Sequence, residues 1–166
     1  MPDLLPIVFV VDDDVSVRES LELLIKSAGW KPEIFASPRE FLSRPRSTVP
    51  CCLVLDVSLP GLNGLELQQQ LAERSEMPII FITGRGSVPM SVRAMKEGAV
   101  DFLEKPFEGE ALLESVQQAL AKSREAREAE MERSAIAGRL ATLSPRERQV
   151  LALVVRGMLN KQIAGI

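Results

Sequence analysis

The sequence has 166 residues, 46% hydrophobic and 26% charged, enough for one packed core with an appendage or for two small domains. It contains no histidine, which excludes His-based nucleophilic triads, His proton shuttles and His metal sites and leaves oxygen ligands to hold any metal. The net charge of −3 is uneven: residues 1–121 sum to −7 and residues 122–166 to +4, an acidic body with a basic tail that hints at nucleic acid near the tail.

The N-terminal MPDLLPIVFVVDDD has no basic stretch before its apolar segment, so it does not read as a signal peptide. No run reaches the ~18 apolar residues of a membrane helix. Ile7 to Val11 is an apolar run that stops abruptly at Asp12, Asp13 and Asp14, the pattern of a buried strand. Val17, Leu21, Leu24, Ile25 and Ala28 then recur at helical spacing, with Asp14 as N-cap and Gly29 as C-terminal cap. Ile34 to Ala36 reads as a short second strand. Ser37-Pro38-Arg39-Glu40 is a capping box that opens a helix carrying Phe41 and Leu42. A surface loop follows, Arg44 to Pro50.

Cys51 to Leu55 is a buried third strand that delivers Asp56 to its end, followed by a Pro/Gly/Asn/Gly turn. Cys51 and Cys52 are adjacent, so they should face opposite sides as small buried hydrophobes and form neither a disulfide nor a metal pair. That usage fits a reducing cytoplasm. A helix from about Gly64 holds Leu65, Leu67 and Leu71. The fourth strand, Ile79 to Ile82, ends at Thr83 and a Gly84-Arg85-Gly86 turn, and the next helix holds Val88, Val92 and Met95 and stops at Gly98. The fifth strand, Val100 to Leu103, ends at Glu104-Lys105-Pro106, and a long helix from near Glu108 buries Leu112, Val116 and Leu120.

This alternation predicts an α/β fold: a flavodoxin-like, doubly wound, five-stranded parallel sheet of order 2-1-3-4-5. In a parallel sheet every strand's C-terminal end lies on one edge, and strands one and three flank the crevice where such folds bind ligands. Asp12, Asp13, Asp56, Thr83 and Lys105 should therefore converge. Two carboxylates ~4 Å apart repel by ~4 kcal/mol at an effective dielectric of ~20, so three of them with Lys105 as the nearby cation call for a hard divalent ion. Mg²⁺ suits this donor set. Asp56 is the best-placed nucleophile toward phosphorus, with Lys105 and the Thr83 hydroxyl available to hold the other oxygens.

On the motifs VVDDD, LDVSLPGLNGLEL and FITGRGSVPMSVRAMKEGAVDFLEKPF, the chain over about residues 6–121 resembles the receiver domain of two-component response regulators. The resemblance implies that Asp56 is the phospho-acceptor and that Asp13, with Asp12 beside it, binds Mg²⁺ together with Asp56 and the backbone carbonyl of Ser58. It implies that Thr83 and Phe102 are a switch pair, that Lys105 binds phosphate, and that the Lys105-Pro106 peptide is cis. Ser58 and Arg85 fall where the family tunes the lifetime of the phosphoryl group. A sensor histidine kinase is the implied donor, and helix four, strand five and helix five, or the linker helix, are implied homodimer surfaces.

The tail, LSPRERQVLALVVRGMLNKQIA, resembles the opening of a LuxR/FixJ-type helix-turn-helix domain. Ser144-Pro145-Arg146-Glu147 is a second capping box, Val150, Leu151 and Val154 are core positions, Gly157 is a cap, and Asn160 starts another helix. The chain ends at Ile166, where the turn into the groove-reading helix is due, so residues 140–166 are expected not to bind DNA or bury a core of their own. Lys122 to Gly138 is charged and alanine-rich, a solvated helical linker expected over 122–139 that prolongs the fifth helix. The domains expected are thus receiver 1–121, linker 122–139 and output fragment 140–166.

The function expected is a cytoplasmic phosphorelay switch rather than an enzyme, with phosphotransfer and loss of its own phosphoryl group as its only chemistry. The alternative is a haloacid-dehalogenase-like phosphatase, since Asp12-Asp13-Asp14 contains D-x-D; the Gly-Thr type turn, late acidic motif and cap domain of that family are missing.

Overall fold

The computed structural model describes residues 5–59, 63–84, 88–142, 144–147, 149–150 and 152–154. The chain forms two compact units, Met1–Arg127 and Glu128–Ile166. In chain order the elements are β1 (Ile7–Val11), α1 (Val15–Ser27), β2 (Lys31–Phe35), α2 (Pro38–Leu42), β3 (Cys51–Asp56), α3 (Gly64–Gln70), β4 (Ile79–Thr83), α4 (Val88–Lys96), β5 (Asp101–Glu104) and α5 (Gly109–Ala141). All strand pairs are parallel and the order is β2-β1-β3-β4-β5, as the sequence pattern requires.

Strands β1, β3 and β4 are buried at every residue because helices cover both faces of the sheet. Side-chain alternation divides the core in two. Phe9, Val11, Cys51, Leu53, Leu55 and Phe81 pack with Phe41 of α2, Leu65 and Leu67 of α3 and Ala94 of α4. Val8, Val10, Cys52, Val54, Ile80 and Ile82 pack with Leu21 and Ile25 of α1 and Leu112, Val116 and Leu120 of α5. Cys51 and Cys52 thus lie on opposite faces, both as free thiols. Burial raises the pKa of both, most strongly at Cys52.

The local signals work as their chemistry dictates. Asp14 caps α1, accepting from Ser16 N at 2.8 Å, and Gly29 follows the helix at φ +89°. In α2, Ser37 Oγ accepts from Glu40 N at 3.2 Å while the Glu40 carboxylate accepts from Ala36 N at 3.1 Å. The edge strand departs from expectation. β2 begins at Lys31, not Ile34, and ends at Phe35. Its first residues are polar because it has a single neighbour, and Pro32 is tolerated for the same reason. β4 extends through Thr83, and β5 is shifted to Asp101–Glu104.

α4 departs more. Val88, Val92 and Met95 are exposed (76%, 45% and 46%), and the buried side chain of the helix is Ala94. A small residue lets the helix sit close to the sheet; Met90 packs partly buried against the same core, and Val88, Val92 and Met95 are left facing outward.

Two residues from the segment assigned by sequence to a solvated linker are packed. Ser123 is fully buried: it accepts from Cys51 N at 3.0 Å, and its hydroxyl donates to the Glu76 carbonyl. Arg127 donates to the Ser47 carbonyl at 3.0 Å. In the second unit, Ser144 and Glu147 form the reciprocal capping box, at 3.2 and 3.1 Å. Val150 and Val154 are exposed rather than core positions. Leu151, Gly157 and Asn160 lie outside the described residues.

Candidate acidic site at the sheet edge

The C-terminal ends of β1, β3, β4 and β5 share one edge, and the polar residues that terminate them meet there. Asp12, immediately after β1, is fully buried, as is Thr83 at the end of β4; Asp56, the last residue of β3, is 5% exposed. Lys105, after β5, closes the group: its Nζ donates to Asp12 Oδ2 at 2.8 Å and to Asp56 Oδ2 at 3.4 Å. Its main-chain N–H donates to the Thr83 carbonyl at 2.7 Å, which ties the β5 exit to the β4 exit.

One carboxylate oxygen from each of Asp12, Asp13 and Asp56 lies within 4.8 Å of the others. Asp13 is exposed, Asp12 and Asp56 buried. The remaining oxygens are partly spoken for. Asp12 Oδ1 accepts from Asp14 N at 2.8 Å, and Asp56 Oδ1 accepts from Ser58 N at 2.9 Å. Burial by itself would lower the pKa of Lys105, but its hydrogen bond to Asp12 and the charges of Asp12 and Asp56 outweigh burial and hold the ammonium above its ordinary value. Among the described residues three carboxylates outnumber the cations that touch this turn, Lys105 and Arg18, which leaves excess negative charge at the rim. An all-oxygen, convergent donor set of this kind fits a hard divalent ion such as Mg²⁺.

Ser58 is exposed and touches Asp56 through its amide. The Lys105-Pro106 peptide is cis. Phe102, half-buried on β5, faces Phe81 with ring centroids 6.1 Å apart. Arg85 lies outside the described residues.

Sequence reasoning missed Arg18. Its Nη1 donates to the Asp12 main-chain carbonyl at 2.7 Å, pinning the turn that carries Asp12 and Asp13. The available signal was a cation close to the positive N-terminal end of α1, a position where helices favour acidic residues.

Comparison with known proteins agrees with this geometry. Residues 8–117 match the family described as response regulator receiver domain, and residues 141–166 match the bacterial regulatory proteins of the luxR family. Nodulation protein W of Bradyrhizobium diazoefficiens is 51% identical over 95% of this chain and 70% of its own length. The transcriptional regulatory protein FixJ of the same species is 44% identical over 95% of this chain and 77% of its own length. Among solved structures, the response regulator StyR superposes with a TM-score of 0.83 at 49% identity, covering 97% of this chain and 82% of that one. The phosphatase alternative finds no support, since the receiver family accounts for the strand ends on which it rested.

Proposed function

The chain belongs to the response regulators, a receiver domain followed by a LuxR-type segment, and on that premise we propose that Asp56 accepts a phosphoryl group from the phosphohistidine of a separate sensor kinase. The observation that carries this reading is the bridging of Asp12 and Asp56 by Lys105, beside the exposed carboxylate of Asp13. With no histidine in the chain, the donor imidazole has to come from another protein.

Asp56 Oδ2 is the attacking oxygen. It faces Lys105, while Oδ1 is held by the Ser58 amide, which fixes the plane of the carboxylate. As the oxygen–phosphorus bond forms, the phosphorus–nitrogen bond of the donor breaks and its electron pair stays on the imidazole. Receiver domains bind Mg²⁺ at an acidic pocket of this kind. Held by Asp12, Asp13, Asp56 and the Ser58 carbonyl, the ion would supply the positive charge that offsets the entering phosphoryl oxygens. Lys105 then turns from Asp12 to a phosphoryl oxygen, a charge-assisted hydrogen bond that replaces the one it gives up.

The readout is a shift between two packings, one of which binds the phosphoryl group better. Thr83 and Phe102 are the switch pair: the hydroxyl is drawn toward the phosphoryl oxygens and the ring turns inward. Ser58 and Arg85 tune how long the group survives, and hydrolysis of that acyl phosphate is the only turnover. The exposed Val88, Val92 and Met95 on α4 support a homodimer surface built from α4, β5 and α5, with the linker helix as second surface. Among the described residues no helix is long and apolar enough to cross a membrane. We place the protein in the cytoplasm beside its kinase, with DNA as the target of a complete output domain.

Incubation with acetyl phosphate and Mg²⁺ tests the reading. The expected result is one phosphoryl group per chain, sensitive to hydroxylamine, absent without Mg²⁺ and absent from Asp56→Asn. A label on another residue, or phosphate release that continues at an enzyme's rate, would overturn it.

A further inference from the structure

α4 meets the sheet through few side chains: Ala94 is buried and Met90 is partly buried against the core, while Val88, Val92 and Met95 are exposed. Facing Ala94 from α3 is Gln68, only 4% exposed. Gln68 Nε2 donates to the Ala94 carbonyl at 3.0 Å, while Gln68 Oε1 is sealed from water and has no hydrogen-bond partner among the described residues. A buried acceptor without a donor is unfavourable, and its presence needs a reason. Folding does not supply one. The Ala94 carbonyl already accepts from Ala99 N at 3.1 Å, so an apolar side chain at position 68 would leave nothing unsatisfied.

The other end of α3 rests on the acceptor strand. Gly64 N donates to the Val57 carbonyl at 2.9 Å, and a Cβ on Gly64 would lie 2.9 Å from the Asp56 carbonyl oxygen and from Val57 Cα. Gly64 and Gln68 are about one helical turn apart. α3 is therefore a short rigid spacer with one end on the Asp56–Val57 backbone and the other on the buried residue of α4.

We propose that Gln68 is a positioning residue of the switch, holding α4 in its resting place and coupling it to the backbone of Asp56 by a route separate from Thr83 and Phe102. The coupling presupposes the phosphoryl switch described above. Displacing α4 breaks one hydrogen bond whose acceptor stays satisfied and opens Oε1 to a donor. The resting position is thus maintained by an amide that is itself only half paired.

Gln68→Met keeps the side-chain shape and removes both polar atoms; Gln68→Leu is a second variant with the same intent. In the unphosphorylated variants, amides of α4 are expected to exchange about five-fold faster than in the wild type, toward the phosphorylated wild-type value, as expected for loss of one ordinary hydrogen bond. The thermal midpoint should equal or exceed that of the wild type, because a buried unpaired oxygen has been removed. Unchanged α4 exchange at an unchanged midpoint would overturn the assignment. So would a lower midpoint with faster exchange throughout β1 and β3, the signature of a purely structural role. If α4 exchange in the wild type fails to respond to a phosphoryl group verified on Asp56, the switch itself is overturned and Gln68 with it. Loss of labelling at Asp56 in wild type would instead sink the acceptor reading.

Discussion

Asp12 is fully buried and paired with Lys105, whereas Asp13 is exposed and adds negative charge to the same rim. Neutralising Asp13 therefore relieves repulsion without breaking that pair. Asp13→Asn is expected to raise the stability of the metal-free protein by about 0.5–1 kcal/mol and to weaken Mg²⁺ binding by roughly tenfold or more. Denaturation in EDTA and calorimetric Mg²⁺ titration check the two parts separately. The identities of Asp12, Asp13, Asp56, Thr83 and Lys105 were legible in the sequence because each directly ends or follows an apolar strand. Arg18 was not, because its partner is a main-chain carbonyl, which every residue carries and no pattern marks. Gln68 was hidden for a similar reason: its bond is to the carbonyl of Ala94, on another helix.

At the scale of elements, α3 has the narrowest tolerance. A Cβ at Gly64 would meet backbone atoms of Asp56 and Val57 at 2.9 Å and the Phe81 ring at 3.1 Å. Backbone cannot yield as a side-chain tip can, so Gly64→Ala is expected to cost about 2 kcal/mol, seen as a lower urea midpoint, and to slow phosphoryl labelling by displacing Asp56. Buried strands and capped helices were legible: β1, β3 and the starts of α1, α2 and α3 carry hydrophobic runs and caps that leave few alternatives. The facing of α4 was not legible, because apolar spacing shows that a face exists without showing whether the sheet or the solvent receives it. The packed part of the region beyond residue 121 was invisible for a different reason. Ser123 and Arg127 are polar, and only the neighbouring Cys51 amide and the Glu76 and Ser47 carbonyls make them interior groups.

For the whole molecule, the pH dependence of stability follows from a few pairs. Glu33 is held below its ordinary value of 4.5, chiefly by its hydrogen bond from Arg44. Burial opposes this for Glu76, but the hydrogen bond from Arg46 prevails and its pKa is also lowered. A carboxylate with a depressed folded pKa contributes stability above its unfolded value, and that stability is lost as pH falls through the folded one. Lys105 is raised above 10.5, so its contribution is complete below that value and is lost as pH climbs through the folded pKa. Without histidine, and with both thiols shifted upward by burial, stability should be flat from about pH 5 to 9. Urea midpoints across this range check the plateau. At pH 3.5 the midpoint should drop, and Glu33→Gln should shrink that drop while costing about 1 kcal/mol at pH 7.

Hydrophobic period, strand-end chemistry and caps determined the fold class, the strand order and the members of the acidic site, because each is set by local residue type and spacing. Tertiary structure alone decided which carboxylate oxygens meet Lys105, which face of α4 is bare, and where α5 stops being part of the packed unit. Those outcomes depend on backbone carbonyls and amides brought together from distant parts of the chain, and main-chain groups are the same at every position of a sequence.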